Sequence, residues 1–401
     1  MIFVVKNHYK VNELVELTQQ LVRIPSHEHI KTREKDVAEF IYNFCEDNDI
    51  EVEFQPITED RKNVIAYLRG NGTGNSIMFN GHLDTVPPDN MKIPPLAAEV
   101  KDGYIWGRGT VDMKGAVACI LMSMLALKRA KIVPDGDIIF TGVIGEEGKS
   151  EGTEHIVKLD LKTDAAIVAE PTNYEYVVGH RGLEWFDIFV KGRAAHSGTP
   201  ERGVNAIEKA MVFMQKVKEV LYPKLKERHN EFMGESLMNF GTIQGGTGQS
   251  TVADCCIIRI DRRYVPGETV ETVMQEYQDI IDLLKKEDPT FDAKIRRTPE
   301  SVLRLNHPPL ITSMNEPIVS VVRESLKEVI KKEPHLTTGF GWTDAALLST
   351  YLKIPTVVVG PGDLSLAHTE AERIAIEDLV NTVEIYSRII DKFCIKDRII
   401  E

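Results

Sequence analysis

Three short apolar segments in the first half of the chain each run directly into acidic or histidine residues. The segments are residues 76–80, 137–144 and 165–169, followed by His82 and Asp84, by Glu146 and Glu147, and by Glu170. Short apolar runs bounded by turn residues predict buried β-strands. Because ligands of open α/β sheets bind beyond the carboxyl ends of the strands, these polar side chains are expected to converge. The sequence therefore predicts an α/β fold with a polar site at the strand ends.

The length of the chain predicts two domains. Its 401 residues exceed the roughly 250–300 residues that a single hydrophobic core usually holds. Periodicity predicts helices at residues 11–23, 35–48, 115–130, 317–331 and 375–393, and further strands at residues 63–68 and 355–359. Between them lies a different pattern, with strands at residues 185–190 and 255–262 and helices at residues 204–221 and 270–284. We predict an α/β domain of residues 1–181 and 298–401, interrupted by an α+β domain of residues 182–297.

Composition and charge argue against several classes of protein. With 42% hydrophobic and 27% charged residues, the chain is in the globular range. Its formal charge of −13 argues against a nucleic-acid partner, which favours a basic face. We expect no secretion signal and no membrane partner, because neither a basic leader nor an uncharged apolar run of about 18 residues stands out. Five scattered cysteines without CxxC spacing favour a reducing cytoplasm over a disulfide framework or a thiolate metal site.

His82 and Asp84 are two residues apart at the end of a predicted strand. Alternation along an extended segment puts both side chains on the same side, which would let Asp84 orient the imidazole of His82 as a metal ligand. Taken alone, the pair is more often a hydrogen-bonded histidine at a strand end with no metal.

Further positions offer carboxylates or an imidazole to a metal ion. Asp112 lies in a glycine-rich loop before a predicted helix. Instead of binding a metal, its carboxylate could interact favourably with the positive end of the helix dipole. The adjacent Glu146 and Glu147 would repel each other unless they shared a cation or proton, although a solvated turn is also possible. Glu170 precedes a proline, and His368 lies in a glycine-rich loop after an apolar strand. Each position alone has an ordinary explanation, but together they favour a site for two divalent ions.

Six motifs carry a resemblance to a known family. They are GHLDTVPP, GRGTVDMKG, GEEGKSEGT, AEPT, AHSGTPERGVNAI and GPGDLSLAHTEAE, which span Gly81 to Glu372. The chain resembles the zinc-dependent deacylases and exopeptidases that include acetylornithine deacetylase, succinyl-diaminopimelate desuccinylase and the glutamate carboxypeptidase G type. The motifs are most similar to those of acetylornithine-deacetylase-like members. The resemblance implies a zinc-exopeptidase-like catalytic domain, with a mixed sheet flanked by helices, and an inserted lid domain that forms a homodimer.

The resemblance also implies a role for each candidate in the first domain. It implies two zinc ions, with cobalt or manganese as alternatives, held by Asp112 as the bridge, by His82 and Glu170 on one ion, and by Glu147 and His368 on the other. Glu146 matches the general base of the family. Asp84 matches the carboxylate that orients the first histidine, in agreement with its spacing from His82.

Three residues of the inserted domain match family positions that act on the substrate. His196 resembles a lid histidine that reaches the developing oxyanion, often from the partner subunit, although it could equally be a surface residue. Arg263 matches an arginine that binds a substrate carboxylate, and Asn239 resembles a lid asparagine. Strand alternation predicts that Arg262 faces away from Arg263. The family's Asn-x-x-Pro is missing after the glycine pair at residues 245–246, which puts substrate contacts of that loop in doubt.

The resemblance implies a hydrolase that cleaves the amide bond of a small N-acyl amino acid or a short peptide. In the implied mechanism, Glu146 takes a proton from a water activated by two zinc ions and later protonates the leaving amine, while His196 stabilises the oxyanion. A dipeptidase or carboxypeptidase with the same machinery is the alternative. A binding protein that does not turn over is a further alternative, and the presence of Glu146 beside a complete ligand set argues against it.

Overall fold

The computed structural model describes residues 7–89 and 91–395 of the chain. Residues 1–6, on which the prediction of no secretion signal largely rests, lie outside the described residues. The chain divides into two compact units. The first consists of Met1–Val178, Ile311–Thr337 and Thr343–Glu401, and the second of Gly179–Leu310 and Thr338–Trp342.

The helices occur in both units. They are α1 (Val11–Arg23), α2 (Lys35–Asp47), α3 (Gly115–Arg129), α4 (Glu151–Lys158), α5 (Ala206–Glu227), α6 (Val270–Glu287), α7 (Pro299–Val302), α8 (Pro317–Ile330), α9 (Ala345–Leu347) and α10 (Ile376–Cys394). Shorter 3-10 turns are Pro200–Arg202 and Leu364–Leu366, and π-helical turns are Thr110–Lys114 and Leu348–Leu352.

The strands also occur in both units. They are β1 (Glu51–Pro56), β2 (Lys62–Leu68), β3 (Ile77–His82), β4 (Glu99–Lys101), β5 (Tyr104–Trp106), β6 (Ile138–Val143), β7 (Ala165–Val168), β8 (Gly179–His180), β9 (Gly182–Lys191), β10 (His229–Asn230), β11 (Gly234–Glu235), β12 (Leu237–Gly245), β13 (Cys255–Tyr264), β14 (Asp292–Arg297), β15 (Leu310–Ile311), β16 (Thr356–Val358) and β17 (Arg373–Ala375).

The first unit is built on a six-stranded mixed sheet in the order β1-β2-β6-β3-β7-β16. The four strands from β6 to β16 run parallel, with Phe79 of β3 in register with Phe140 of β6 and Ile167 of β7. Strands β1 and β2 extend the sheet in antiparallel fashion. Every residue of β3, β6 and β7 is buried, as expected where helices cover both faces of a parallel sheet. The predicted α/β class with a mixed sheet is confirmed.

Helix α3 is the central helix of the first unit. It packs against β3 and β6 and also against α1 and α10, so residues 115–127 are buried on all sides and apolar apart from Ser123. The stretch Thr110–Arg129 is long and apolar enough to cross a membrane, but the 18-residue window within it that has a mean hydropathy of 1.6 is completely buried inside the protein. Its position in the structure is that of a core helix.

The second unit contains a four-stranded antiparallel sheet in the order β12-β13-β9-β14. One face packs against α5 and α6, and the core between them includes Phe186, Ile258, Phe213 and Tyr277. Along β13, which matches the predicted strand at residues 255–262, buried residues alternate with more accessible ones. Strand β12 is one of the two edge strands, and most of its residues are exposed.

The junctions between the units differ from the predicted boundaries at 181/182 and 297/298. The second unit continues to Leu310, because residues after β14 remain bonded to it. The backbone N–H of Thr298 donates to the carbonyl of Trp185 at 3.1 Å, and the carbonyl of His307 accepts from the N–H of Leu183 at 2.9 Å. The short return of Thr338–Trp342 to this unit was not predicted at all.

Candidate metal centre

The parallel strands of the first unit bring several predicted site residues to one edge of the sheet. His82 is the last residue of β3, Glu146 and Glu147 follow β6, and Glu170 follows β7. Since parallel strands share a direction, their carboxyl ends lie at the same edge. The loop after β16 carries His368 to the same place, where its ring nitrogen lies 3.0 Å from Glu147.

Asp112 reaches this edge from the π-helical turn that precedes α3. The turn begins after Gly109, whose φ of 81° is in the left-handed region. A Cβ at this position would lie 2.8 Å from a methyl group of Thr85, so only glycine fits. Asp112 is 8% exposed, which places its carboxylate inside the protein rather than on a solvated helix end.

Asp112 belongs to two groups of potential metal ligands, one on each carboxylate oxygen. Its Oδ1 lies 2.9 Å from Nε2 of His82, which is also 3.7 Å from Oε1 of Glu170. Its Oδ2 lies 3.0 Å from Nε2 of His368, which is also 3.0 Å from Oε1 of Glu147. In each group, one ligand atom per residue lies within 4.8 Å of the others. A carboxylate that is shared in this way has the arrangement of a bridge between two ions.

The orientation of His82 is set by the backbone and not by the carboxylate that the sequence suggested. Its Nδ1 lies 2.9 Å from the carbonyl oxygen of Asp84, whereas the Asp84 carboxylate is 3.6 Å away. Donation from Nδ1 to that carbonyl leaves the lone pair on Nε2, the atom that faces Asp112. The carboxylate of Asp84 instead accepts the backbone N–H groups of Glu146 at 3.2 Å and of Glu147 at 3.0 Å. Asp84 therefore holds the turn that carries the two glutamates.

The ionisable groups of the centre strongly perturb one another. Burial, followed by the negative charge of Glu170, holds the pKa of Glu146 well above its usual range. Burial opposes protonation of His82, but the neighbouring carboxylates outweigh it and raise its pKa well above the ordinary value. Hydrogen bonds to Asp112 and Glu147 raise the pKa of His368 to about 10. Without a metal ion, protons on the imidazoles would supply the positive charge that the carboxylates require.

The donor set fits divalent cations. Each group combines one imidazole with two carboxylates, and imidazole nitrogen with carboxylate oxygen is a ligand combination typical of zinc. The His82 group is buried, while the His368 side chain is 50% exposed. The second group is therefore more open to solvent than the first.

Glu372 is a residue of the site that the sequence did not identify. Its side chain is fully buried, and its Oε1 accepts the backbone N–H groups of Val111 at 3.0 Å and of Asp112 at 3.3 Å. The other carboxylate oxygen is paired with Arg108. Glu372 thus fixes the backbone of the bridging residue. Its place in the motif GPGDLSLAHTEAE, a few residues after His368, was the available signal.

Asp344 is a second residue that the sequence did not identify. It is 1% exposed, and its Oδ2 accepts a hydrogen bond from Oγ1 of Thr153 at 2.6 Å. Burial raises the pKa of Asp344 to about 6. Its charge contributes to the raised pKa values of Glu146 and Glu170. An aspartate just before a short helix usually serves as a cap, so the sequence carried no specific signal.

The three remaining site candidates belong to the second unit. Asn239 of β12 lies opposite Asp261 of β13, and Arg263 is two residues farther along, so Asn239 and Arg263 share one face of the sheet. Arg263 forms a two-pronged ion pair with Asp261, at 2.7 and 3.0 Å. Arg262 is fully buried and pairs with Glu268, in agreement with the predicted alternation. His196 is exposed, and its Nδ1 accepts the N–H of Gly198 at 3.0 Å.

Comparison with known proteins decides the family. The model of a family described as peptidase family M20/M25/M40 matches residues 78–392. The chain belongs to this family. It is 30% identical over 339 residues to an acetylornithine deacetylase of Myxococcus xanthus, an alignment that covers 84% of this chain and 85% of that protein.

Two further relatives show the range of names within the M20 family. A deformylase of N-formyl-4-amino-5-aminomethyl-2-methylpyrimidine from Halalkalibacterium halodurans is 29% identical, with 95% of this chain and 94% of that protein covered. The crystal structure of the aminopeptidase PepT from Bacillus cereus superimposes with a TM-score of 0.78 at 25% identity, covering 96% and 99% of the two chains. As a member of the M20 family, the protein is a hydrolase that acts on amide or peptide bonds.

Proposed function

We propose that this M20 hydrolase is a deacylase of N-acyl amino acids that uses two divalent ions, with zinc as the native metal. The observation that carries the proposal is the position of Asp112, whose two oxygens belong to separate ligand groups. His82 and Glu170 would complete one site, and Glu147 and His368 the other. Cobalt or manganese could replace zinc, since both accept imidazole and carboxylate ligands.

The reaction divides between the ions and the residues around them. Two divalent ions in these sites would polarise the scissile carbonyl and lower the pKa of water towards about 7. Glu146 would accept the proton of the attacking water and deliver it to the leaving amine. Burial and the charge of Glu170 raise the pKa of Glu146, and this direction suits a group that first accepts a proton and then donates it. Asp84 would hold Glu146 in position through its backbone N–H.

The preference for a deacylase rests on the named relatives. The similarity to an acetylornithine deacetylase extends over 84% of the chain. A dipeptidase or carboxypeptidase remains the second candidate, because the chain is also 29% identical to a probable carboxypeptidase of Aspergillus clavatus. Both activities need the same centre, so substrate contacts decide between them. His196, Arg263 and Asn239 are the residues that we propose for those contacts.

The experiment that tests the proposal is a substrate panel with the metal-free and metal-loaded protein. Amine release is measured with N-acetyl amino acids, N-succinyl amino acids and dipeptides, after dialysis against a chelator and again after addition of zinc, cobalt or manganese. We expect hydrolysis of N-acyl amino acids, loss of activity on chelation and its return with about two equivalents of metal per chain. Faster hydrolysis of dipeptides would favour the peptidase, and full activity in the metal-free protein would contradict the proposal.

Three broader expectations remain proposals. The homodimer is supported by β12, an exposed edge strand that could pair with a second copy, and ultracentrifugation tests it. A cytoplasmic location is supported by the five cysteines, which are all free thiols. The substrate is proposed to be a small molecule, with neither nucleic acid nor membrane as a partner, since the formal charge is −13.

A further inference from the structure

A cavity of about 220 Å³ lies in the first unit beside Glu147. It is lined by Arg61 and by residues of three segments, Glu28 to Glu34, Asp84 to Pro87, and Gly145 to Glu151. At ~30 Å³ per water it has room for about seven water molecules, which is enough for a small organic acid group. Since Asp84 and Glu147 form part of its wall, the cavity adjoins the candidate metal centre.

Three cationic side chains line this cavity, and one of them is already neutralised. Arg61 binds both oxygens of Glu34, at 2.8 and 2.9 Å, and one oxygen of Glu151 at 2.6 Å. These contacts join Arg61 to two carboxylates in a partly buried network. Arg61 therefore has no charge to offer a ligand.

The other two cations, Arg33 and Lys149, are unpaired. Both are only partly exposed, yet neither side chain makes a hydrogen bond or an ion pair with any of the residues that the structure describes. Partly desolvated charges in proteins are normally paired, because removal from water is costly. Arg33 also has a left-handed backbone with φ of 44°, a conformation that side chains rarely adopt and that is often found at functional sites.

The carboxylates of the cavity do not compensate for these two cations. Glu34 is bound on both oxygens by Arg61, and Asp84 accepts two backbone N–H groups. Glu147 is a proposed metal ligand. Glu28 is 67% exposed and is therefore well solvated. Glu151 shares Arg61 with Glu34. The carboxylates of the lining outnumber its cations, but Arg33 and Lys149 are the cations of the cavity that no carboxylate of the described residues binds.

We propose that Arg33 and Lys149 bind a carboxylate that the substrate carries beyond its scissile amide, so that the enzyme prefers acidic N-acyl amino acids. This inference rests on the proposed deacylase function and names its substrate class. The carboxylate could belong to a dicarboxylic acyl group or to the side chain of the amino acid. In either case Glu147, a proposed metal ligand, lines the same cavity. An arginine and a lysine would provide charge-assisted hydrogen bonds to the carboxylate.

The test compares substrates that differ only in this carboxylate. The metal-loaded native chain is assayed for kcat/KM with N-succinyl-alanine against its neutral succinamoyl analogue, and with N-acetyl-glutamate against N-acetyl-glutamine. We expect the acidic member of one pair to be preferred by about 10-fold to 100-fold, as for hydrogen bonds to charged groups. Preference within the succinyl pair assigns the carboxylate to the acyl group, and preference within the glutamate pair assigns it to the amino acid.

Two variants and a control connect the preference to the cavity. In Arg33→Met and in Lys149→Met, the ratio of kcat/KM for the acidic substrate to kcat/KM for its neutral analogue should fall towards one. Lys128→Met, which removes an exposed lysine from α3 outside this cavity, should retain the native ratio. Circular dichroism and the metal content of each variant show that it is folded and loaded. A ratio that stays at its native value in both cavity variants overturns the inference.

A binding measurement separates this inference from the proposed function. Calorimetry of the metal-loaded protein with succinate and with succinamate should show tighter binding of succinate, and this difference should shrink in both cavity variants. Equal binding of the two by the native chain overturns the inference. Equal kcat/KM values for the acidic and the neutral substrates would also overturn the inference, but the deacylase function would stand. Absence of all hydrolysis, with succinate still bound through Arg33 and Lys149, would contradict the deacylase function alone.

Discussion

The two units treat buried charge in opposite ways. In the second unit, Glu184 is fully buried, but its carboxylate pairs with Arg297 at 2.6 Å and lies 3.6 Å from Arg304. In the metal centre, Asp112 and Glu170 are also buried, and no arginine or lysine pairs with them among the described residues. Arginines of the same chain therefore neutralise Glu184. Asp112 and Glu170 depend instead on histidines or on bound metal ions.

This contrast separates a structural charge from a functional one. A buried ion pair is complete when the chain folds, so its loss should affect folding. A carboxylate cluster without resident cations is costly to fold, and it is best explained by a bound cation that compensates for it. Substitutions in the second unit should therefore change stability, whereas those in the centre should change metal binding or turnover.

The largest effect is expected for Glu146→Gln in the metal-loaded protein. The amide keeps the shape of the side chain but cannot accept the proton, so kcat should fall by about 10²-fold to 10⁴-fold. Metal content, measured by atomic emission, should stay at the native value because Glu146 is not among the proposed ligands. Activity close to native would exclude Glu146 as the general base.

A large loss of stability is expected for Glu184→Gln in the second unit. The neutral amide leaves Arg297 and Arg304 without their carboxylate, which should lower the free energy of unfolding by about 3–5 kcal/mol. Urea unfolding followed by fluorescence measures this change. If Glu184→Gln left the free energy of unfolding unchanged but lowered the metal content, the distinction between a structural charge at Glu184 and functional charges in the metal centre would be wrong.

An intermediate effect is expected for Glu372→Gln, which alters the support of Asp112. The variant loses the ion pair with Arg108 and weakens the hold on the Asp112 backbone, so metal affinity should fall by about 10-fold to 100-fold. Competition with a chromophoric chelator provides the affinity without any assay of activity. Native affinity together with reduced stability would instead assign Glu372 a purely structural role.

The smallest effect is expected for Lys285→Met, the exposed control for Glu184. Its ammonium lies 3.6 Å from Asp292, and the two side chains are 38% and 49% exposed. Exposed pairs contribute little, so the free energy of unfolding should change by less than about 1 kcal/mol. If Lys285→Met lowered the free energy of unfolding as much as Glu184→Gln, burial would not determine how much an ion pair contributes to stability.

Much of the first unit could be predicted from sequence because its signals are local. The predicted helix at residues 11–23 coincides with α1, and the strand at residues 76–80 differs from Ile77–His82 by no more than two residues at either end. Apolar strands that end in polar residues also indicated which side chains would meet. Parallel strands bring their carboxyl ends together, so this part of the site needed no long-range information.

Elements of the second unit were harder to predict for physical reasons. Strand β12 was missed because it is an exposed edge strand without an alternating apolar pattern. Helix α5 was expected to end at residue 221 but continues through Pro223 to Glu227. Leu225 is buried in the core of the unit, so tertiary packing overcomes the local penalty of the proline.

The contacts that complete the site depend on residues far apart in the chain. Glu372 binds the N–H of Val111 across 261 positions, and the motifs that contain the two residues do not predict this contact. The contact between His82 and the Asp84 carbonyl is local, but the choice between a carbonyl and a carboxylate depends on exact backbone geometry. Residue types could therefore be predicted at the centre, whereas the atoms that support them could not.

The order of the ligands along the chain has a consequence for biosynthesis. His368 is 221 positions after Glu147, so a ribosome that adds ~5–20 residues per second reaches it about 10–45 s later. The second unit, which is nearly continuous from Gly179 to Leu310, leaves the ribosome within that interval. The nascent chain must therefore keep Glu147 and Asp112 without their histidine partner while an entire unit folds, and full metal capture is one of the last events of its maturation.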